Sequence, residues 1–360
     1  MKKILAICTS PDKGGLELYF VKMVNHYHKT NNVTSVCRSN SEIYKIIESP
    51  IINIKKISLF NIFFSALRLA KYVNEEKINI IHVSWTKDLL LSVLVKIFSK
   101  NKLNILYYRQ MKLTRPKKDI FHNFIYKRIS LILVITNKLL NECQRFLPVK
   151  KNRIRKLTYG VSIPKIKHDA KDEIFGNYNL DKNFFTIGIF SRIEDQKGQH
   201  LVLEALNKIA NRDIQLLIVG HSMDTDYMKY LTKIIKKYNL SDRVSFAPFV
   251  EEPMSIMSKV DLVILPTYEE TFGLVLAEAM LMGTPVIGSN AGGVPEIISD
   301  GINGLLFETK NYISLKNKIL LVYKDEELRK KLSNNAKIFA NTKYNYQKHF
   351  SNLDKIYTEL

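Results

Sequence analysis

The chain is short of cysteine, of long apolar runs and, over its first half, of acidic side chains. Cys8, Cys37 and Cys143 are odd in number, far apart and without partners at metal-ligand spacing. That argues against a disulfide framework or a cysteine-bound metal and for a reducing compartment. No apolar run reaches the roughly 18 to 20 residues needed to cross a bilayer. Met1-Lys-Lys-Ile-Leu-Ala-Ile-Cys8 opens like a secretory signal, but Ser10-Pro-Asp-Lys-Gly-Gly15 cuts it short, so it reads as a first buried strand. Internal repeats and low-complexity tracts are also missing. These absences leave a cytoplasmic globular protein, and 360 residues with 46% hydrophobic content suffice for two domains of ordinary size.

The shortage of acid is local. Residues 1–170 hold 32 Lys plus Arg against 10 Asp plus Glu, a balance of +22, whereas residues 171–360 hold 23 against 24, a balance of −1. The excess is densest from Lys96 to Lys167, where 19 basic residues face only Asp119 and Glu142. Compositional drift would load both halves alike, so the asymmetry predicts a functional surface. Clustered Lys and Arg gain about 1 kcal/mol each near an anionic leaflet, which makes an anionic membrane surface a partner and peripheral attachment to its inner face the expected location. The apolar helices Asn61 to Asn74 and Asp88 to Ser99 are read as core, with one face against lipid as the alternative.

Apolar, β-branched runs alternate with helix-period stretches from end to end, the pattern of parallel sheets with covering helices. Strands are expected at Lys3 to Cys8, Asn32 to Cys37, Ile80 to Val83, Ile105 to Tyr108 and Leu131 to Ile135, then at Thr186 to Phe190, Gln215 to Val219, Val244 to Phe246, Leu262 to Leu265 and Pro285 to Ser289. The break falls in Tyr159-Gly-Val-Ser-Ile-Pro164 and the charged stretch after it. This predicts an α/β protein of two doubly wound, Rossmann-like domains, residues 1–165 and 166–341, with a helix over about 342–360 returning to the first.

What is present is concentrated in Glu270-Thr-Phe-Gly-Leu-Val-Leu-Ala-Glu278. Glu270 is placed at the carboxyl edge of a buried strand, and Glu278 in the second turn of a helix opening at Gly273. At about 1.5 Å rise per residue the two carboxylates can stand roughly 8 to 12 Å apart, the span of a sugar and a ribose joined by two phosphates. Between them the amides of Gly273, Leu274 and Val275 form a helix N-terminus suited to a pyrophosphate. Two other turns suit an anion. Lys13-Gly14-Gly15 joins the first strand to a helix, and Ser191-Arg-Ile-Glu-Asp-Gln-Lys-Gly198 puts Arg192 and Lys197 after the first strand of the second domain. Ala291-Gly-Gly-Val-Pro-Glu296 is a further glycine-rich strand-to-helix turn. An ordinary tight turn, or two solvated loop cations, would explain each of the first two alone.

Together these residues resemble the retaining glycosyltransferases of family 4, which have the GT-B fold. The likeness runs through Gly14-Gly15-Leu16-Glu17, Arg192, Lys197-Gly198, Asp242-Arg243-Val244 and the long block from Pro266 through Glu270, Phe272-Gly273, Glu278-Ala279, Gly283-Thr-Pro285 and Gly292 to Glu296, ending at Asp300-Gly301 and Asn303-Gly304. It implies a metal-independent, retaining transfer of a sugar, of the hexosyl type, from a nucleotide diphosphate sugar. The implied acceptor is a lipid-linked or lipopolysaccharide-type glycan of the cell surface. Glu270 would meet the donor sugar and Glu278 the ribose. Arg192 and Lys197 would neutralise the leaving diphosphate, assisted by Gly14, Gly15 and the amides after Phe272.

One residue departs from the pattern. Family members commonly place a His after the fourth strand of the first domain, where this chain has Gln110 in Tyr107-Tyr-Arg-Gln-Met111. An amide can hydrogen-bond but cannot take up a proton. That keeps open a sugar-nucleotide epimerase on the same scaffold, disfavoured for want of an acid and a base, and a sugar-nucleotide-binding protein without turnover. His82 ends a strand nearby and is read as structural, with compensation for the missing His as the alternative. Asp224-Thr-Asp226 matches a metal motif but reads as a helix N-cap, so no metal or other cofactor is expected. The basic, aromatic stretch around Tyr107 to Tyr126 belongs to the acceptor-side domain, so nucleic acid is not expected as a partner.

Overall fold

The computed structural model describes every residue except Met1, Asn31, Leu59, 165–170 and Glu251, with the side chains of 171–173 also undescribed. The chain forms two compact units, Met1–Thr158 with His349–Leu360, and Tyr159–Lys348. The expected boundary at 165/166 lies outside the described residues.

The first unit is built on seven parallel strands: β1 Ile4–Ile7, β2 Val33–Cys37, β3 Ile51–Asn53, β4 Ile80–Val83, β5 Asn104–Arg109, β6 Leu131–Val134 and β7 Ile154–Lys156. Their order is β3-β2-β1-β4-β5-β6-β7. Ile4 of β1 is aligned with both Val33 and Ile80. Strands β1, β4 and β6 are buried along their whole length, which is why β1 and β6 read as unbroken apolar runs and β4 as one interrupted only by His82. Parallel neighbours need long crossovers, and helices such as Gly15–His28, Ile62–Glu75 and Leu89–Phe98 supply them.

The second unit repeats the plan with β8 Phe185–Phe190, β9 Ile214–Val219, β10 Val244–Ala247, β11 Leu262–Leu265, β12 Val286–Ser289 and β13 Leu305–Phe307 in the order β10-β9-β8-β11-β12-β13. Leu206, Leu231, Ile264, Ile319 and Leu332 are among its fully covered core side chains. Three strands are missing from the sequence reading: β3, β7 and β13. Each has three residues and lies at a sheet edge, too short for an alternation to register. The helices Tyr312–Lys324 and Glu326–Lys343 are also additions, their apolar faces diluted by lysine.

The last helix, Tyr346–Glu359, brings His349–Leu360 into the first unit through polar contacts as well as packing. His349 Nδ1 donates to the Thr158 carbonyl at 2.7 Å, leaving Nε2 to accept from the Tyr19 hydroxyl at 2.8 Å. Tyr27 donates to Asp354 at 2.9 Å, and His26 stacks on Phe350. His82, wholly buried in β4, meets the Tyr357 hydroxyl through Nδ1 at 2.6 Å. Burial pushes His82 down to about 3 and His349 to about 4. His82 is therefore a packing residue beneath this helix.

Candidate active site

In each sheet the strand order reverses at one place, between β1 and β4 and between β8 and β11. Ligands of open α/β sheets bind beyond the strand carboxyl ends at such points. In the second unit the chain leaving β8 carries Arg192 and Lys197, and the chain leaving β11 carries Glu270. Two cations and a carboxylate thus flank one crevice because of strand order, although 73 residues separate Lys197 from Glu270.

The pair is made. Lys197 Nζ donates to Glu270 Oε2 at 2.8 Å, with the two side chains only 16% and 22% exposed. Glu270 Oε1 also accepts from the Thr271 amide at 3.1 Å. The supporting loops are held by close backbone approach. Gly198, in the left-handed region at φ 68°, would place a Cβ 2.3 Å from the Pro266 carbonyl oxygen. Gly292, at φ 61°, would place one 2.0 Å from the Glu270 carbonyl oxygen. No side chain fits at either position, whatever its chemistry. Gly293 then donates its amide to the same Glu270 oxygen at 2.7 Å. The loops after β8, β11 and β12 therefore meet around the backbone of Glu270.

Two residues that sequence reasoning missed add to this joint. Thr267 Oγ1 donates toward the Gln196 and Glu269 carbonyls at 3.1 and 3.0 Å, and Tyr268 donates its amide to Gln196 at 2.9 Å. The Tyr268 hydroxyl meets His200 Nε2 at 2.7 Å, while His200 Nδ1 meets Tyr227 at 2.9 Å. Burial lowers the His200 pKa and pushes Tyr268 up to about 12. Nothing in a sequence window joins residues 196, 200, 227 and 268. The only signal was their proximity to strand ends.

The helix after Glu270 spans Leu274–Met282, with Gly273 as its N-cap at φ 95°, one residue later than its expected start. Its first amides, on Leu274 and Val275, have no partner inside the helix. Phe272 beside them is buried and packs edge-on against Tyr159 and Tyr344, which fixes where the turn begins. Glu278 is half-buried in the second turn. Arg192 lies on the crevice loop, but its guanidinium is paired with Glu194 at 3.2 Å and its side chain is half exposed.

Other motif residues are structural. Arg243 is buried and donates Nε to the Ile214 carbonyl at 2.8 Å. Asn303 ties Ser299 to Ile297 in the turn before β13. Asp224 caps the helix Thr225–Lys237 by accepting from the Asp226 and Tyr227 amides, both at 3.0 Å. Among the described residues no group of three His, Cys, Asp or Glu side chains converges as metal ligands would. An open concavity of ≈ 480 Å³ lies over β12 and β13, lined by Asn290, Asp300, Leu306, Phe307, Glu308 and Thr309. Its carboxylates, with Asp300 held by Lys318 at 3.4 Å, do not suit an anion.

In the first unit Gly14 caps the helix Gly15–His28, and its amide donates to Glu17 at 3.0 Å. Nothing lies within 4 Å of where a Gly15 Cβ would be. The loop before it is pinned by Asp88, which is wholly buried and accepts from the Thr9 amide at 2.8 Å and the Thr9 hydroxyl at 2.5 Å. Burial raises Asp88 to about 6. Gln110 is buried directly after β5, two strands from β1. The three cysteines are buried, with Cys37 and Cys143 pushed up to about 12 by burial, so none is a nucleophile.

Residues 170–339 match the model of the family described as Glycosyl transferases group 1. An uncharacterized glycosyltransferase of Methanocaldococcus jannaschii is 28% identical over all of this chain and 99% of its own length. N-acetyl-alpha-D-glucosaminyl L-malate synthase of Bacillus anthracis is 24% identical over 82% of this chain and 78% of its own. Among solved structures, Anabaena HepE in complex with UDP and glucose superposes with a TM-score of 0.86 at 21% identity, each chain fully covered. Residues 170–339 are thus similar to the family described as Glycosyl transferases group 1, and the chain has the GT-B fold.

Proposed function

We propose that the protein moves a hexosyl group from a nucleoside diphosphate sugar to a lipid-linked or lipopolysaccharide-type glycan at the cytoplasmic face of the membrane. Configuration at the anomeric carbon is retained and no metal is needed. The observation that carries this reading is the Lys197–Glu270 pair, 2.8 Å long, at the point where the strand order reverses. Without donor, each partner neutralises the other. A bound donor gives both better work. Its diphosphate takes Lys197, with Arg192 and the amides of Gly273, Leu274 and Val275 around the remaining oxygens. Glu270 is released to orient the sugar hydroxyls and to face the positive charge that develops at the anomeric carbon.

In this mechanism the bond from the anomeric carbon to the diphosphate oxygen breaks as the acceptor oxygen approaches the same face. The new glycosidic bond forms there, and the acceptor proton passes to the departing phosphate. Catalysis rests on alignment and charge stabilisation, so Gln110 need only hydrogen-bond, and Gly14 and Gly15 leave room for an anion to approach the first helix of the first unit. Glu278 takes the ribose, and Phe272 fixes the helix start.

A panel of nucleotide sugars, assayed for donor hydrolysis and transfer, tests the reading. Glu270→Ala is expected to slow turnover by about 10²–10³-fold, the usual effect of deleting one preorganised electrostatic group. Equal rates for variant and parent would exclude the catalytic role and leave a sugar-nucleotide-binding protein, while interconversion of donor sugars without transfer would make it an epimerase. The name of the Bacillus anthracis relative favours a second reading of the acceptor, a small hydroxy acid such as L-malate. Transfer to L-malate in solution, with none to lipid-linked glycan, would select it.

A further inference from the structure

Among the described residues, six phenylalanines stand exposed, and five are in the first unit: Phe60, Phe63, Phe64, Phe121 and Phe124, against Phe249 alone in the second. Phe60 is 92% and Phe64 73% exposed. The helix Ile62–Glu75 buries Ile62, Ala66, Leu69, Ala70 and Val73, the single apolar stripe that docking on the sheet requires. Phe63, Phe64 and Leu67 on the outside of the helix, and Phe60 in the turn just before it, are all exposed. Folding of the unit does not account for this second stripe.

The stripe continues across neighbouring helices. Ile62–Glu75 packs on Leu89–Phe98, where Phe63 and Phe98 meet edge-on at 5.0 Å and Ile97 is 46% exposed. Leu89–Phe98 in turn contacts the helix Ile120–Tyr126, which exposes Ile120, Phe121 and Phe124. Exposed basic side chains accompany both ends of the face, Lys55, Lys56 and Arg68 at one and Lys118 and Lys127 at the other. Arg128 lies 4.0 Å over the Phe124 ring.

We propose that this three-helix face docks on the anionic surface of a lipid bilayer. Its phenylalanines enter the boundary between head groups and acyl chains, and its lysines and arginines meet the lipid phosphates. Charge decides between occupants. Residues 1–170 carry a balance of +22, so a second copy seated on this face would set two basic rims against each other, whereas an anionic leaflet complements them. The proposal deepens the lipid-linked acceptor reading, on which it rests for its purpose but not for its test.

The test is sedimentation of the full chain with vesicles of phosphatidylcholine alone or with phosphatidylglycerol. Binding is expected only with the anionic lipid, and it should fall at least tenfold in the Phe60→Ser/Phe64→Ser double variant and again in 0.5 M salt. Both substituted side chains are solvent-exposed, so melting temperature and nucleotide affinity should stay as in the parent, which separates lost docking from lost folding. Equal binding to neutral vesicles, an unaffected double variant, or a solution dimer that the double variant abolishes would each overturn the proposal. Turnover assayed without vesicles reports on the enzymatic reading alone, so either idea can fail while the other stands.

Discussion

The two units share a strand order and almost nothing else. Reading outward from the strand where each begins, both sheets place a second and third strand on one side and a fourth, fifth and sixth on the other. The second unit spends its distinctive residues at the carboxyl ends of its strands, where Gly198 and Gly292 let three loops close on Glu270. The first carries its distinctive residues outside, in an exposed aromatic stripe and a basic excess. Its glycine turn is not forced by packing, because a Gly15 Cβ would meet nothing. One scaffold has thus been specialised in two ways, as a tightly braced crevice at the strand ends and as an exposed surface.

Glycine substitution should break that comparison most sharply. Gly292→Ala needs a Cβ 2.0 Å from the Glu270 carbonyl oxygen at a left-handed φ of 61°, so the loop must move and the 2.7 Å bond from Gly293 to Glu270 is lost. A destabilisation of about 2–4 kcal/mol is expected in chemical denaturation, with turnover falling as Glu270 shifts. Gly15→Ala in the first unit should change stability by no more than about 0.5 kcal/mol. Similar costs at both positions would mean that the two turns are braced alike.

Acid should separate the units next. His82 and His349, held at about 3 and 4 by burial, are neutral when folded but gain a proton on unfolding, where a histidine titrates near 6.5. The unfolded chain therefore binds more protons between about pH 6.5 and 3, and stability, complete above that window, falls as the pH drops through it. Asp88 works the other way. Its carboxyl, raised to about 6, favours the folded form on protonation and offsets part of the loss. Both histidines lie in the first unit, as does Trp85, the only tryptophan. Tryptophan fluorescence should then report a larger loss of stability from pH 7.5 to 5 than far-ultraviolet circular dichroism, which follows both units. Equal shifts would show that the buried histidines do not set the acid response.

The contrast also explains what could be read from sequence. Interior strands such as β1, β6 and β11 are buried along their length and show as continuous apolar runs, whereas β3, β7 and β13 are three-residue edges that leave no pattern. Glu270, Lys197 and the turn at Gly273 were legible because glycines and charges at strand ends have few structural uses in such company. The bracing of Glu270 by Gly292 and the stitching of Thr267 to Gln196 were not, since backbone approach has no residue signature beyond the glycine itself. The exposed stripe was half legible: the periodicity of Ile62–Glu75 is visible, but which of its two apolar faces is inside depends on the sheet.

The smallest expected effect concerns what the braced crevice reads. If Glu278 binds the ribose, it contacts the part of the donor that every nucleoside diphosphate shares. Glu278→Gln keeps the shape and one acceptor oxygen but loses the charge, which is worth about 1.4 kcal/mol, or tenfold, for a hydrogen bond to an ionised partner. In a thermal-shift panel of nucleoside diphosphates the variant should therefore weaken every member by a similar factor and leave their ranking unchanged, because stabilisation tracks the dissociation constant of each ligand. A changed ranking would place Glu278 against the base instead, and the crevice would then choose its nucleotide with the same helix that we propose holds its phosphates. No such change is expected from Gly15→Ala, since the first unit is not asked to recognise the nucleoside.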